Sequence, residues 1–227
     1  MNIVITGCSK GIGLELVKIW SKKHVVYGIS RNNEKLESLR ASLPNPANFK
    51  FLSKNLVNLN QQDIKDFIKV NKVDVLVNNA GLLIKKPFSE IKYNDYRELM
   101  DVNFWGAFNL SQLLVKKLSN AKGQIINISS MGGVNYTSKF PGLSLYSSSK
   151  AALSIFTECL AVELQSEQIK VNALALGAVE TEMLNNAFPG YVADTKAHEM
   201  ASFIVKFANS SSNIINGQVI RVSKSNP

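Results

Sequence analysis

Tyr146 and Lys150 are the pair of side chains best suited to chemistry in this sequence of 227 residues. Their spacing places a phenol and an ammonium one turn apart on the same face of a helix. A unit positive charge about 4 Å away contributes roughly 4 kcal/mol at an effective dielectric of about 20, enough to move a phenol pKa from about 10 to about 7. We therefore predict that Tyr146, assisted by Lys150, exchanges a proton with a carbonyl or alcohol oxygen.

A glycine-rich turn near the start of the chain predicts a phosphate-binding site. It follows the apolar run 3–5, contains Gly7, Gly11 and Gly13, and opens a stretch with apolar residues at helical spacing. Such a turn lets a pyrophosphate approach the backbone, and the helix that follows directs N–H groups and its positive dipole end at it. A dinucleotide site together with an acidic phenol indicates hydride transfer to or from a carbonyl.

The residues after the second predicted strand indicate which nicotinamide cofactor is bound. An NAD site usually has a carboxylate there to hold the ribose 2′-hydroxyl. This strand instead ends in Ser30, Arg31 and Asn32, and Lys10 adds a second positive charge from the glycine-rich turn. Two cations that converge on a 2′-phosphate favour NADP(H) over NAD(H).

Apolar runs alternate with helical patterns along the whole chain. The predicted strands lie near 2–6, 24–29, 48–54, 72–77, 123–129, 168–176 and 217–222. The predicted helices lie near 11–22, 32–42, 60–70, 94–118, 146–166 and 194–209. Strands that are continuously apolar are typical of a parallel sheet covered on both faces. The sequence therefore predicts an α/β, single-domain Rossmann fold over 1–227, with a doubly wound parallel sheet of about seven strands and helices on both faces. The segments 131–145 and 182–193 look irregular.

The composition limits the classes of function. The net charge is +9, but only four of the 26 basic residues are arginines and the lysines are scattered, so we predict no nucleic-acid partner. Apolar runs fall short of the roughly 18 residues of a membrane helix, and the N-terminus lacks a secretory signal, which favours the cytoplasm. Two cysteines and two histidines indicate neither a disulfide framework nor a metal site.

Six motifs in the order of one family give the chain a wider resemblance, to the short-chain dehydrogenases/reductases, and specifically to the branch with subunits near this size. The motifs are residues 6–13, 78–81, Asn103, Ser130, the pair Tyr146 and Lys150, and 176–181. The resemblance runs almost end to end and implies a catalytic set of Asn103, Ser130, Tyr146 and Lys150. It also implies a homodimer or homotetramer built through the helices near 94–118 and 146–166.

The resemblance assigns a role to each member of the catalytic set. Ser130 donates a hydrogen bond to the carbonyl oxygen, Tyr146 moves the proton, and Lys150 also holds the ribose hydroxyls. Asn103 holds a water that links Lys150 to solvent. Ser129 remains an alternative to Ser130, because the stretch up to Tyr146 is a few residues longer than the family's.

The resemblance also implies the set of residues that contact the cofactor. They are Gly7, Ser9, Lys10, Gly11, Ile12, Gly13, Arg31, Asn55, Leu56, Asn79, Ala80, Gly81, Tyr146, Lys150, Gly177, Val179 and Thr181. Asn55 stands where the family has an aspartate near adenine, and Leu176 replaces the family's proline. The segment after Thr181 is short and predicts a small substrate-side loop over 182–196.

Together these patterns predict an NADPH-dependent oxidoreductase. It would reduce the carbonyl of a small ketone, aldehyde or β-ketoacyl compound to an alcohol, or run the reverse reaction. The alternative is a non-catalytic NADP(H)-binding sensor or scaffold of the same fold, favoured by the short loop after Thr181. A nucleic-acid binder is supported by the net charge alone.

Overall fold

Seven strands form one parallel sheet in the computed structural model, which describes residues 1–210 and 214–224. The strands are Asn2–Thr6 (β1), Val25–Ser30 (β2), Phe49–Ser53 (β3), Val75–Asn78 (β4), Gln124–Ser130 (β5), Lys170–Leu176 (β6) and Val219–Val222 (β7). All seven predicted strands are confirmed, with ends that differ from prediction by at most three residues. Residues 211–213 and 225–227 of the predicted domain lie outside the described residues.

The strand order locates the crevice where ligands bind. The order is β3-β2-β1-β4-β5-β6-β7, with every pairing parallel. The chain therefore winds outward from β1 on one side and from β4 on the other. An open α/β sheet binds its ligands where the winding direction changes, outside the carboxyl ends of its strands. Here these ends are Thr6 of β1 and Asn78 of β4.

Helices cover both faces of the sheet, as predicted. They are Gly11–Trp20 (α1), Asn33–Ser42 (α2), Gln61–Phe67 (α3), Tyr93–Met100 (α4), Gly106–Ser119 (α5), Ser144–Glu163 (α6), Glu182–Ala187 (α7) and Ala197–Ser210 (α8). On one face, α1, α2 and α8 bury apolar side chains such as Leu16 and Ile204. On the other, α3, α5 and α6 bury side chains such as Leu114 and Leu160.

The long helix predicted over 94–118 is present, but its middle is wound differently. Residues Asp101–Trp105 form a π turn between α4 and α5. Such turns appear mostly as single bulges within α-helices, and many of them lie at functional sites. Asn103, a predicted catalytic residue, lies inside this turn.

The segment after β6 is more regular than predicted. The Thr181 hydroxyl accepts a hydrogen bond of 3.3 Å from the N–H of Leu184 and so caps α7. The prediction of irregular structure over 182–193 is therefore wrong for Glu182–Ala187. Six residues are too few to reveal an apolar period in the sequence.

Candidate active site

One cavity of about 840 Å³ lies at the carboxyl ends of the strands. Its size falls within the range of about 300–1,000 Å³ that is typical of ligand and cofactor sites. It begins at the glycine-rich turn after β1 and continues past Ser130, Tyr146 and Lys150. The predicted cofactor and catalytic residues thus lie around one space, with Gly13 and Asn103 behind its wall.

The glycine-rich turn leaves the start of α1 open to the cavity. Gly7 has a φ of +67°, and a Cβ there would lie 2.7 Å from the Cα of Ala80. A Cβ at Gly13 would overlap the carbonyl oxygen of Gly7. Among the described residues, no side chain caps α1, and its first turn has no acidic residue. The N–H groups of Gly11 and Ile12 are therefore available to an anion.

Partly buried hydrogen bonds hold this turn against the residues that follow β4. The Thr6 hydroxyl accepts from the N–H groups of Asn79 and Ala80, at 3.0 and 2.9 Å. The Asn79 amide donates to the carbonyl oxygens of Thr6 and Gly7, at 3.0 and 3.1 Å. Asn79 therefore fixes the turn, and its neighbours Ala80 and Gly81 line the cavity.

The far end of the cavity, beyond β2 and β3, carries several cations. Arg31, Asn55 and Leu56, which are predicted to contact the cofactor, line this end together with Lys35 and Lys54. The Asn55 amide oxygen accepts from the N–H of Val57 at 3.3 Å, so it also caps a short turn. This end lacks a carboxylate at the end of β2, where the sequence has Arg31.

Lys10 is engaged with a partner that the sequence does not reveal. Its ammonium lies 2.7 Å from the carboxylate of Glu182, the first residue of α7, and both side chains are about half exposed. The neighbouring Thr181 lies opposite the glycine-rich turn, with its methyl group 3.4 Å from where a Cβ of Gly11 would be. The turn after β1 and the start of α7 therefore face each other across the cleft.

The predicted catalytic groups meet in the middle of the cavity. The hydroxyl of Ser130 lies close enough to the phenol of Tyr146 to lower its pKa, and both residues line the cavity. The ammonium of Lys150 is buried, donates to the carbonyl oxygen of Ile128 at 2.9 Å, and lies 3.4 Å from where a Cβ of Gly81 would be. A proton donor, a second hydroxyl and a cation thus share one partly enclosed space.

Burial sets the pKa values of this group. It raises the pKa of Tyr146 above that of an ordinary phenol, and the hydrogen bond with Ser130 offsets part of that rise. Burial also lowers the pKa of Lys150, to about 8. The prediction that Lys150 brings the pKa of Tyr146 towards neutrality is therefore wrong for the protein alone. Loss of hydration disfavours the phenolate, and the ammonium is directed at Ile128.

The two candidate serines differ in their surroundings. Ser129 is buried, donates to the carbonyl oxygen of Lys150 at 3.0 Å, and contacts the Ser154 hydroxyl at 2.8 Å. Ser130, which also lines the cavity, is less buried, lies near Tyr146, and accepts from the N–H of Gly132 at 3.2 Å. The geometry favours Ser130 as the hydroxyl that meets a substrate.

The side chain of Asn103 ties the π turn to the loop after β4. Its amide oxygen accepts from the N–H of Leu82 at 2.7 Å, and its nitrogen donates to the carbonyl oxygen of Leu82 and to Ser149, each at 2.9 Å. Its oxygen also lies 3.6 Å from where a Cβ of Gly81 would be, near the Lys150 ammonium. This clamp is visible in the structure, whereas the predicted water-holding role stays a prediction.

The remaining predicted cofactor residues line the wall formed by the end of β6. Gly177, Val179 and Thr181 all face the cavity. The N–H of Gly177 donates to the carbonyl oxygen of Val222 at 2.9 Å, and a Cβ at Gly177 would overlap the side chain of Ser223. Close packing against β7 thus explains the glycine.

The mouth of the cavity, defined here as Phe140, Met183, Phe188 and Tyr191, is mostly apolar. The rings of Phe140 and Phe188 meet edge to face at 6.3 Å between centroids. The ammonium of Lys85 lies 4.1 Å from the centre of the Phe188 ring. An apolar mouth with a cation at its rim suits a substrate that carries both an apolar chain and a negative charge.

Comparison with known proteins identifies the family. The family model described as short chain dehydrogenase matches residues 1–191. This chain belongs to the short-chain dehydrogenase/reductase family. It is therefore an NAD(P)-dependent oxidoreductase, as predicted.

Individual relatives of this dehydrogenase/reductase match it over most of their length. The 3-oxoacyl-(acyl-carrier-protein) reductase FabG of Thermotoga maritima is 31% identical over 96% of this chain and 94% of that protein. A fatty acyl-CoA reductase of Acinetobacter baylyi is 32% identical over 89% of this chain and 70% of that protein. The solved structure of ElxO with NADP bound has a TM-score of 0.82 and 29% identity, covering 97% of this chain and 96% of that one.

The residues of this dehydrogenase/reductase fit a nicotinamide dinucleotide. The uncapped start of α1 offers N–H groups to a pyrophosphate, and the close approach of Gly7 to Ala80 leaves no room for a side chain at the turn. Asn79 holds the turn in this shape before any ligand binds. Gly81 lies beside the Lys150 ammonium, which suits a ribose at that position.

Sequence reasoning missed several residues of the cavity. Lys35 lies in the first turn of α2, where its N–H donates to the capping residue Asn32, so its position just after β2 was a signal. Phe140 and Phe188 approach each other only because two distant loops pack together, and no local pattern marks that contact. Glu182 was missed as the partner of Lys10 for the same reason.

Two absences bear on the predicted partners. No helix among residues 1–210 and 214–224 is long and apolar enough to cross a membrane. Within the same described ranges, histidine, cysteine and acidic side chains form no group that could hold a metal ion.

Proposed function

We propose that this chain is an NADPH-dependent carbonyl reductase in which Tyr146 is the general acid. The observation that carries the proposal is that Ser130, Tyr146 and Lys150 line the same cavity as the uncapped start of α1. One part of this cavity suits a pyrophosphate, and the other suits a polarised carbonyl. Lys150 and Gly81 line the cavity between these two parts.

The chemistry divides between the cofactor and the protein. A reduced nicotinamide supplies the hydride that forms the new C–H bond. Tyr146 gives its phenolic proton to the carbonyl oxygen, and Ser130 donates a hydrogen bond to the same oxygen as negative charge grows there. The raised pKa of Tyr146 keeps the phenol protonated at neutral pH, which suits a proton donor. The proton is later restored to Tyr146 from solvent.

Lys150 keeps its proposed roles in a modified form. Its ammonium stabilises the phenolate left on Tyr146 and holds ribose hydroxyls near Gly81. The positive ring of the oxidised cofactor would add to the charge of Lys150 in favouring that phenolate. Asn103 positions the loop at Leu82 and, in our proposal, a water beside Lys150.

The preference for NADP(H) over NAD(H) belongs to the same proposal. Arg31 and Lys35 line the end of the cavity where the adenosine would lie, and Lys10 approaches from the glycine-rich turn. A 2′-phosphate would gain charge-assisted hydrogen bonds there, which a 2′-hydroxyl cannot make as strongly. The NADP bound to ElxO supports this choice.

The proposed substrates are ketones, aldehydes and β-ketoacyl compounds with an apolar chain. The apolar mouth at Phe140, Phe188 and Tyr191 would receive the chain, and Lys85 would attract a negative charge outside it. The relatives named as acyl reductases support an acyl substrate. The segment 182–196 is then the substrate-side loop.

We further propose a homodimer or homotetramer built through the helices at 93–119 and 144–163. Trp105, Ile155 and Val162 on these helices are 42%, 59% and 72% exposed. Trp105 also stacks on Phe108 at 5.5 Å between ring centroids. Burial of such a surface would favour self-association. A nucleic-acid partner is not part of the proposal, and the location in the cytoplasm stays a prediction.

A carbonyl panel assayed with NADPH and NADH in parallel tests the proposal. The panel contains a β-ketoacyl thioester, an aliphatic aldehyde and a simple ketone, and consumption of the reduced cofactor is followed at 340 nm. We expect turnover with NADPH that is lost in Tyr146→Phe and kept in the matched variant Tyr136→Phe, whose ring is exposed. Tight NADPH binding without turnover of any carbonyl would instead favour the sensor or scaffold.

A further inference from the structure

The ion pair between Lys10 and Glu182 joins two parts of the chain on opposite sides of the cofactor cleft. Lys10 precedes α1 in the glycine-rich turn, and Glu182 opens α7 after β6. Their charged groups are 2.7 Å apart, and both residues line the cavity. The pair therefore forms part of the wall of the space that the predicted cofactor needs.

The carboxylate of Glu182 interacts with two of the cations expected to hold a 2′-phosphate. Lys10 is its hydrogen-bond partner, and Lys35 on α2 adds a weaker attraction. The hydroxyls of Ser9 and Ser30 lie 3.0 Å apart, which holds the glycine-rich turn beside the end of β2, where Arg31 follows. An internal anion thus lies against Lys10 and is also attracted by Lys35.

We propose that Glu182 is a specificity-determining residue whose carboxylate competes with the cofactor 2′-phosphate for Lys10. NADP(H) would displace Glu182 from Lys10, whereas NAD(H), which lacks that phosphate, would leave the pair intact. The inference rests on the proposed use of NADP(H) and adds a residue that weakens this preference. The ribose 2′-hydroxyl of NAD(H) is uncharged, so Glu182 does not compete with it for Lys10.

The competition has a consequence for the substrate side of the cavity. Glu182 is the first residue of α7, which Thr181 caps, and Met183 and Leu184 of this helix line the cavity. Release of Glu182 from Lys10 would remove the ion pair that holds the start of α7 to the glycine-rich turn. The start of α7 would then lie in different positions with NADP(H) and with NAD(H), and the space left for the substrate would differ.

Direct binding of the two reduced cofactors tests the competition. The Kd values of NADPH and NADH are measured by nicotinamide fluorescence for the full chain, Glu182→Gln and the control Glu180→Gln. Glu180 is an exposed carboxylate two residues earlier, so this control makes the same charge change. We expect Glu182→Gln to bind NADPH about two- to fivefold more tightly, the range for an exposed ion pair, with NADH affinity nearly unchanged.

The Lys10→Met background shows whether the effect passes through Lys10. There, Glu182→Gln should leave the NADPH affinity nearly unchanged, because position 10 no longer carries the ammonium for which the carboxylate and the phosphate compete. Equal tightening for both cofactors, the same tightening in Glu180→Gln, or a full effect without Lys10 would overturn the inference.

The role of Glu182 and the proposed function can be disproved separately. If NADPH binds and is consumed with a carbonyl, but Glu182→Gln leaves the ratio of the two Kd values unchanged, only the role of Glu182 is wrong. If no variant binds NADPH, both the role of Glu182 and the proposed function are wrong. Circular dichroism of each variant checks that the fold is kept.

Discussion

At the cofactor end of the cavity, partly buried hydrogen bonds fix the backbone, whereas at the mouth contacts between partly exposed side chains form the wall. The turn after β1 is held by the Thr6 hydroxyl and the Asn79 amide, each of which makes two hydrogen bonds to backbone groups. The mouth depends on the edge contact between Phe140 and Phe188 and on Lys85 above the Phe188 ring. The first region is preorganised, and the second can adapt.

This difference predicts how the two regions respond to substitution. A change at the cofactor end disturbs groups that have no other partner nearby, so stability and cofactor affinity should fall together. A change at the mouth removes apolar contact area from side chains that already face solvent, so it should act mainly on substrate affinity. Tyr146 and Ser130 lie between the two regions and should affect the chemical step alone.

Tyr146→Phe should produce the largest effect. General acid catalysis contributes about 10²- to 10⁴-fold, so kcat should fall by about that factor, while the Kd of NADPH should stay within about twofold. Single-turnover reduction of a carbonyl by the enzyme saturated with NADPH measures the chemical step. Tyr136→Phe, at an exposed ring, should behave like the original chain. A Tyr146→Phe enzyme with full kcat would show that the proton comes from another group.

Substitution of the two adjacent serines should separate chemistry from stability. Ser130→Ala removes a hydrogen bond to the developing oxyanion and should lower kcat about 10²- to 10³-fold, with little change in melting temperature. Ser129→Ala removes a buried hydroxyl with two partners and should cost about 1–3 kcal/mol in free energy of unfolding. Urea unfolding and steady-state kinetics on both variants distinguish these outcomes. A larger loss of kcat in Ser129→Ala would reverse the assignment.

Gly13→Ala and Gly190→Ala compare the two regions directly. A Cβ at Gly13 would overlap the carbonyl oxygen of Gly7, so the turn must shift, and we expect a loss of about 1–3 kcal/mol in stability together with weaker NADPH binding. A Cβ at Gly190 would meet nothing within 4 Å, and only its φ of +83° opposes the substitution, at about 1 kcal/mol. Gly190→Ala should therefore keep its NADPH affinity. Equal losses of affinity in both variants would contradict the comparison.

The sequence predicted the cofactor end well because its requirements are local. Backbone approach to a phosphate requires Gly7 and an uncapped helix start, and both follow from residue types a few positions apart. The strands were also predictable, since a sheet buried on both faces needs continuous apolar runs such as 124–128. Even Lys35 could have been found, because it lies in the first turn of the helix that follows β2.

The mouth and the charge balance of the site could not be predicted in the same way. The contact of Phe140 with Phe188 and the pairing of Lys10 with Glu182 join residues far apart in sequence, so only the folded chain brings them together. The pKa of Tyr146 was predicted from one neighbour, Lys150, but it depends on how much water the whole cavity removes. Local spacing indicates which groups close in sequence lie together. The packing of the whole chain decides which distant groups meet and how far burial shifts their pKa values.

Phe188→Ala should show a smaller and more selective effect at the mouth. It removes a partly buried ring together with its contacts to Phe140 and Lys85, so KM for an apolar carbonyl should rise about three- to tenfold. The Kd of NADPH should stay within about twofold, because the ring lies away from the cofactor end. Phe88→Ala, at a ring that is 83% exposed, is the matched control. A loss of NADPH affinity in Phe188→Ala would mean that the two regions are coupled.

The pH dependence of NADPH binding should give the smallest effect and tests how Lys150 connects the two regions. Burial lowers the pKa of Lys150 to about 8, so its ammonium is present below that pH and is lost as the pH rises through it. An anionic cofactor favours the ammonium, so the Kd of NADPH should be several-fold weaker at about pH 9 than at about pH 7. In Lys150→Met this change should be absent, with weaker binding at every pH. If the original chain and Lys150→Met weakened equally between about pH 7 and 9, the titrating group would lie elsewhere, and Lys150 would not link the proton donor to the cofactor.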